Sequence, residues 1–296
     1  MTTCSLNTCA YPQVPRGRVV HGCLEQGAAI RHLLPHVLAA TAYHDDANPT
    51  AASVTSWLLD RAATYQQTHG QPGTARPLLD RALRIGEAAY GPEHLAVATT
   101  LNDLALVLCE LGEPGTARPL SERALHINET ACGPDYPEVA DTLNSLALAL
   151  HHLGEPVTAR ALLERALRIN EAAYGPDHPE VAVTLHNLAW MLCELGEPGT
   201  ARPLLERALR INETTYGPAH PWVATILNTL ASVLVELGEP VTARPLLERA
   251  LHINETTYGP AHPDVATILE HPRLGVGRAG GAGHRPVSVG AGTARP

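Results

Sequence analysis

The chain contains no lysine. Its 21 basic residues are all Arg. A GxxxxGK[ST] phosphate loop is therefore excluded outright. There is no Phe, and aromatic residues make up only 4% of the 296 residues. The core must be built from Leu, Ala, Val and Ile, a usage that fits a GC-rich genome. No apolar run reaches the roughly 18 residues that a membrane span needs. An excess of positive charge is missing too: the net charge of −9 argues against nucleic acid and anionic membrane as partners. The opening stretch, MTTCSLNTCAYPQVPRGRVV, has no basic segment followed by an apolar one, so no secretory signal is expected. The six Cys form no CxxC pair and no dense framework. Without an export signal they read as free thiols, and the expected compartment is the cytoplasm.

What is present is a repeat. Gly70, Gly112, Gly154, Gly196 and Gly238 stand 42 residues apart, and a Gly-Pro pair recurs at Gly91, Gly133, Gly175, Gly217 and Gly259 with the same period. A fixed period of about 20–50 residues marks a stacked array in place of one closed core. Residues 1–23 carry Pro12, Pro15 and Gly17 without helical periodicity and are expected to be disordered. Residues 24–49 hold a helix and a linker. Ile30, Leu33, Leu34, Val37 and Leu38 share one face there, and Pro35 should bend it. The array spans 50–269, as five helix pairs and a partial sixth first helix.

In the third full unit, helix A is expected to start near Asp177-His178-Pro179. A polar N-cap and a Pro whose missing N–H would be unpaired anyway both suit a helix start. Its apolar face is Val181, Leu185, Leu188, Ala189, Leu192 and Leu195, and Gly196 ends it. Helix B starts near Glu197-Pro198, with Ala201, Leu204, Leu205, Ala208, Leu209 and Ile211 on its buried face. Neither helix can bury its stripe alone, so neighbours must cover it. Pro77, Pro119, Pro203 and Pro245 fall inside helix B and should bend its first turns. Arg118, Arg160, Arg202 and Arg244 stand four residues before Glu122, Glu164, Glu206 and Glu248, as surface pairs.

This pattern resembles the tetratricopeptide repeat: Leu185, then Leu188-Ala189, Gly196, Ala201 and Ala208. The 42-residue unit with its Gly175-Pro176-Asp177-His178-Pro179-Glu180-Val181-Ala182 joint is similar to the kinesin-light-chain type. Pro114, Pro156, Pro198 and Pro240 depart from it where that family has an aromatic residue. The resemblance implies an all-α, right-handed superhelix. Residues 28–70 also look like the helices that precede such arrays in bacterial NB-ARC-type signalling ATPases. The chain would then be either a free-standing array or the sensor end of such a protein.

In the family, helix A lines a concave groove. Carried over by register, the groove face holds Asn102, Asn144, His186 and Asn228 at one level. Leu106, Leu148, Trp190 and Ser232 lie one turn on. Asp141, Glu194 and Glu236 belong to the same face. The Asn ladder reads two ways: as amides offered to an extended peptide, or as bonds to the next helix. His186 and Trp190 stand where other repeats have Asn and Leu, so specificity is expected there. With no Lys, a basic clamp on a C-terminal carboxylate is not expected. The acidic residues suit basic or neutral segments.

His94, His178, His220 and His262 recur at one place in the joint, spread along the array and not clustered as metal ligands are. No catalytic constellation, cofactor or metal is expected. The expected function is an interaction scaffold for a protein or peptide segment. After Leu269 the pattern breaks. The fifth joint reads Glu270-His271-Pro272-Arg273 where the fourth has Asn-Thr-Leu-Ala. Codons GAA CAC CCT CGC CTC, shifted by one base, encode Asn-Thr-Leu-Ala, which is compatible with a frameshift there. Residues 270–296 are expected to be disordered. The last helix B is expected to be poorly covered, with self-association through that repeat.

Overall fold

A computed structural model describes residues 34–39, 41, 49–68, 70–259 and 265. Ten long helices follow one another: α1 (Pro49–Thr68), α2 (Pro72–Tyr90), α3 (Leu95–Glu110), α4 (Pro114–Cys132), α5 (Pro137–His152), α6 (Pro156–Tyr174), α7 (Pro179–Glu194), α8 (Pro198–Tyr216), α9 (Pro221–Glu236) and α10 (Pro240–Tyr258). Odd-numbered helices are the A members of each pair and even-numbered helices the B members. Residues 34–39 are also helical, and Arg81 of α2 donates to the carbonyl of Thr41. Leu38 is exposed, although the periodicity places it on the apolar face. The expectations for residues 1–23, for His262 and for 270–296 lie outside the described residues.

The helix boundaries follow local chemistry. Most helices open on Pro at the first position, where its missing N–H costs nothing. His94, His178 and His220 are N-caps. Each Nδ1 accepts from the backbone N–H two residues on, at 3.1, 3.2 and 3.2 Å. The imidazoles of His94 and His178 also stack on Tyr90 and Tyr174, with ring centroids 4.6 and 4.5 Å apart, and that of His220 lies tilted against Tyr216 at 4.9 Å. The recurring joint His is thus a helix start braced by a Tyr from the preceding helix. At the B-helix end, Gly175 takes φ 87°, a left-handed conformation that a side chain resists. Pro77, Pro119, Pro203 and Pro245 sit inside helices that continue unbroken through them.

Each helix packs on the next, and each A helix also touches the A helix of the following pair. Successive B-helix segments are bridged by long side chains: Arg118 to Glu155, Arg160 to Glu197 and Arg202 to Glu239, at 3.0, 2.9 and 3.1 Å. The i, i+4 pairs expected from the sequence form alongside, at 2.8 Å for Arg118–Glu122 and Arg160–Glu164. A second set runs backwards. Arg123 reaches Glu87 at 2.6 Å, Arg165 reaches Glu129 at 2.7 Å, and both also donate to joint carbonyls, at Pro92 and Pro134. The A helices present the face that the family resemblance makes the concave side of the superhelix.

The core forms where the stripes meet. In α7, Val181, Leu185, Leu188, Ala189 and Leu192 are buried as expected, and Ala182, Thr184 and Met191 join them. Leu195 is only half-buried. In α8, Ala201, Leu205, Ala208 and Ile211 are buried, while Leu204 and Leu209 are partly so. Asn212 is buried too, as are its counterparts Asn128, Asn170 and Asn254. In α10, Ala243, Leu247, Ala250 and Ile253 are 0–4% exposed, and Val265 beyond them is buried. The apolar face of the last pair is therefore covered, contrary to the expectation that it would be left open. No described helix is long and apolar enough to cross a membrane.

Candidate partner-binding groove

The A helices from α3 to α9 carry charge of one sign among their Asp, Glu and Arg residues. Helices α3, α5, α7 and α9 hold no Arg. Their charged residues are Asp103 and Glu110, Glu138 and Asp141, Glu180 and Glu194, and Glu236. From Arg76 to Arg249 every Arg lies on a B helix.

The ladder level divides into residues spent on neighbours and residues left over. Asn144 Nδ2 donates to Thr184 Oγ1 on α7 at 3.3 Å and to Ala140 O at 3.0 Å, while its Oδ1 accepts from Asn187 Nδ2 at 3.2 Å. The fully buried Thr184 hydroxyl accepts a second amide, from Asn170 Nδ2 at 3.0 Å, and donates to Glu180 O at 3.1 Å. One hydroxyl therefore ties α5, α6 and α7. Ile226 holds the equivalent place on α9 and has no such acceptor. There, His186 Nε2 meets Thr229 Oγ1 at 3.0 Å, three residues further along. His186 differs from the Asn of other repeats at the point where its neighbour lacks the acceptor that an Asn would use. By contrast, Asn102 Oδ1 and Asn228 Oδ1 are buried and have no hydrogen-bond partner among the described residues.

Trp190 separates two hollows. One, of about 270 Å³, lies between α7 and α9 and is lined by Trp190, Cys193, Glu194, Asn228, Ser232 and Glu236, among others. The other, about 60 Å³, lies toward α5, with Leu148 and Asn187 on its wall. The indole meets the His151 ring edge-on, with centroids 4.2 Å apart. The expected site residues Trp190, Glu194, Asn228 and Glu236 thus surround one opening, and Leu148 lies across Trp190 from them. Asn102 and Leu106 lie two repeats away, on α3. Asp141 lies by the α6 terminus, where its charge adds to burial in pushing Tyr174 up to about 12. Thr229 and Val233 complete the large hollow. They fall between the ladder levels that the repeat alignment highlights. Burial, then the charges of Glu236 and Glu194, push the Cys193 thiol up to about 11, so near neutral pH it is an uncharged part of the wall. Cys109, Cys132 and Cys193 are all free thiols. Among the described residues no group of three His, Cys, Asp or Glu gathers as metal ligands do.

Burial lowers the pKa of His151, His178 and His186. A His that is harder to protonate when folded makes the unfolded chain the stronger proton binder. The stability it contributes is complete above the unfolded value of about 6.5, falls as pH drops through the window below it, and levels off under the folded value. Thermal unfolding followed from pH 7.5 to pH 5 is expected to show a falling Tm that begins near pH 6.5. His178→Ser, which keeps an acceptor at the N-cap at every pH, should flatten part of that fall. An unchanged slope would remove His178 from the account.

Five stacked pairs among the described residues, with a 42-residue period, define an α–α solenoid. The chain belongs to the tetratricopeptide repeat family: that family's model matches residues 53–130, 97–168, 138–214 and 191–256. Among solved structures it is similar to kinesin-light-chain TPR-like repeats of Podospora anserina, at 25% identity and TM-score 0.54, over 67% of this chain and 94% of that one. It is also similar to BtubC (BKLC) from P. vanneervenii, at 21% identity and TM-score 0.59, over 92% and 99%. A Rap protein complexed with Competence and Sporulation Factor shares the fold at 14% identity and TM-score 0.60, over 73% and 63%. None of the three is described as an NB-ARC-type ATPase. No curated protein matches the chain closely enough to count as a relative.

Proposed function

We propose that the array is a non-enzymatic scaffold that binds an extended segment of a protein partner on the concave face of α7 and α9. The observation that carries this reading is Trp190. A large aromatic side chain stands half-exposed between two hollows, at a ladder level where α3 and α5 carry Leu106 and Leu148. Aromatic anchors beside open pockets dominate the energetics of most interfaces. A Rap protein of similar fold is complexed with Competence and Sporulation Factor, which supports the reading. Free thiols at Cys109, Cys132 and Cys193 suit a reducing compartment such as the cytoplasm.

The reading is tested by placing a photo-crosslinking residue in the full chain, at Ser232 in the large hollow or at Glu206 on the B-helix face. A partner captured through position 232 and not through 206 is the expected outcome. Capture through 206 alone would place binding on the convex face and end the proposal.

A further inference from the structure

We infer that the segment bound in this groove is basic, with cationic side chains at alternate positions of an extended chain. The inference rests on the groove reading above and adds the chemistry of the partner.

Three observations carry it. The first is segregation of charge: the A helices from α3 to α9 contain acids and no Arg, whereas the acids of the B face are held by Arg. The convex side is electrically balanced and the concave side is not. A recess lined by one sign of charge concentrates its field on a bound chain. The second is placement. Glu194 and Glu236 are exposed at the rim of the large hollow, and neither is in an ion pair among the described residues. They occupy the same level on neighbouring A helices, and packed helix axes lie about 8–10 Å apart. Side chains two apart in an extended segment point the same way at about 7 Å spacing. Two cations at alternate positions can therefore address the two carboxylates in turn. The third is what lies between them. Trp190 offers a face to a cation or to its aliphatic stem. Asn228 lines the same hollow.

The test uses the full chain and fluorescent ten-residue peptides, read by anisotropy. One set has Arg at alternate positions, and matched sets carry Gln or Glu there. The Arg peptide is expected to bind at least about tenfold more tightly than the Gln peptide, and the Glu peptide not measurably. Raising NaCl should weaken binding, because exposed charges are screened. Glu194→Gln with Glu236→Gln should weaken the Arg peptide by roughly 5- to 30-fold, as two rim ion pairs of up to about 1 kcal/mol each imply. Glu164→Gln with Glu206→Gln, on the B face, should leave it within about twofold. Equal binding of the three peptides, or equal loss in the two double variants, overturns the inference. If the segment captured through position 232 carries no cations, the inference falls and the groove reading stands. If nothing is captured there, both fall. The sequence after Glu270 contains Arg273, Arg278, Arg285 and Arg295 and no acid. A crosslink from position 232 to that stretch of the same chain would overturn the assignment to a separate partner.

Discussion

Replacing Thr184 by Val is expected to cost about 2–3 kcal/mol of stability, far more than an isosteric change usually does. The hydroxyl accepts from Asn170 Nδ2 and Asn144 Nδ2. Val leaves Asn170, which is 1% exposed, with a buried donor and no acceptor. Asn144 loses less, because its Nδ2 keeps the Ala140 carbonyl. The same position in other repeats supplies a graded series. Thr142 accepts one amide, from Asn128 Nδ2 at 2.9 Å, and that amide also reaches Glu138 O. Thr142→Val should cost about 1–2 kcal/mol. Thr100 bonds only within its own helix, to Ala96 O, and Thr100→Val should cost less than about 1 kcal/mol. Ile226 stands at this position in the next repeat, where the counterpart of Asn170 is the buried Asn212, so one repeat is built without the hydroxyl. Unfolding midpoints of the three variants, with hydrogen exchange in α7, check the order. Thr184→Val no worse than Thr100→Val would contradict it. Because a solenoid contacts itself only through neighbours, the loss should concentrate around α5–α8.

The second large effect is on binding. Trp190→Leu, which restores the residue of the earlier repeats, is expected to weaken the partner captured in the groove by about 30-fold or more, the size of a central aromatic hot spot. Its cost in stability should stay near 1–2 kcal/mol, from the lost contact with His151 and part of the buried area. His186→Asn makes the contrast. That side chain is committed to Thr229, so the change should lower stability and leave affinity within a few-fold. Titration of each variant with the partner, beside its unfolding curve, separates the two. Equal losses of affinity, or none from Trp190→Leu, would remove Trp190 as the anchor.

Much of the fold was legible because the repeat acts as its own ruler. The 42-residue period located each helix pair, and Pro and Gly marked the ends that the structure shows. What escaped is made of interactions between units. The buried Asn128, Asn170 and Asn212 look like polar residues on an exposed face, and only the next repeat supplies their surroundings. The Arg–Glu bridges between B helices join residues 37 apart, and only the short i, i+4 half of that network is visible in one helix pattern. The Asn ladder also needed the structure. Sequence left its amides divided between a ligand and the next helix. The geometry commits Asn144 to the next helix and leaves Asn102 Oδ1 and Asn228 Oδ1 unpaired. His186 was singled out by the same comparison as Trp190, yet its difference tracks a change in the neighbouring helix at Ile226 and Thr229.

The central claim is that a partner covers the concave face at Trp190. Oxidative footprinting of the full chain with and without the captured partner tests it most directly. The chain has three Trp, at 57, 190 and 222, so each reports separately. The account predicts strong protection of Trp190 on binding, little change at Trp57, and no protection along the B-helix residues of 198–216. Unchanged oxidation of Trp190 with protection of 198–216 would contradict it.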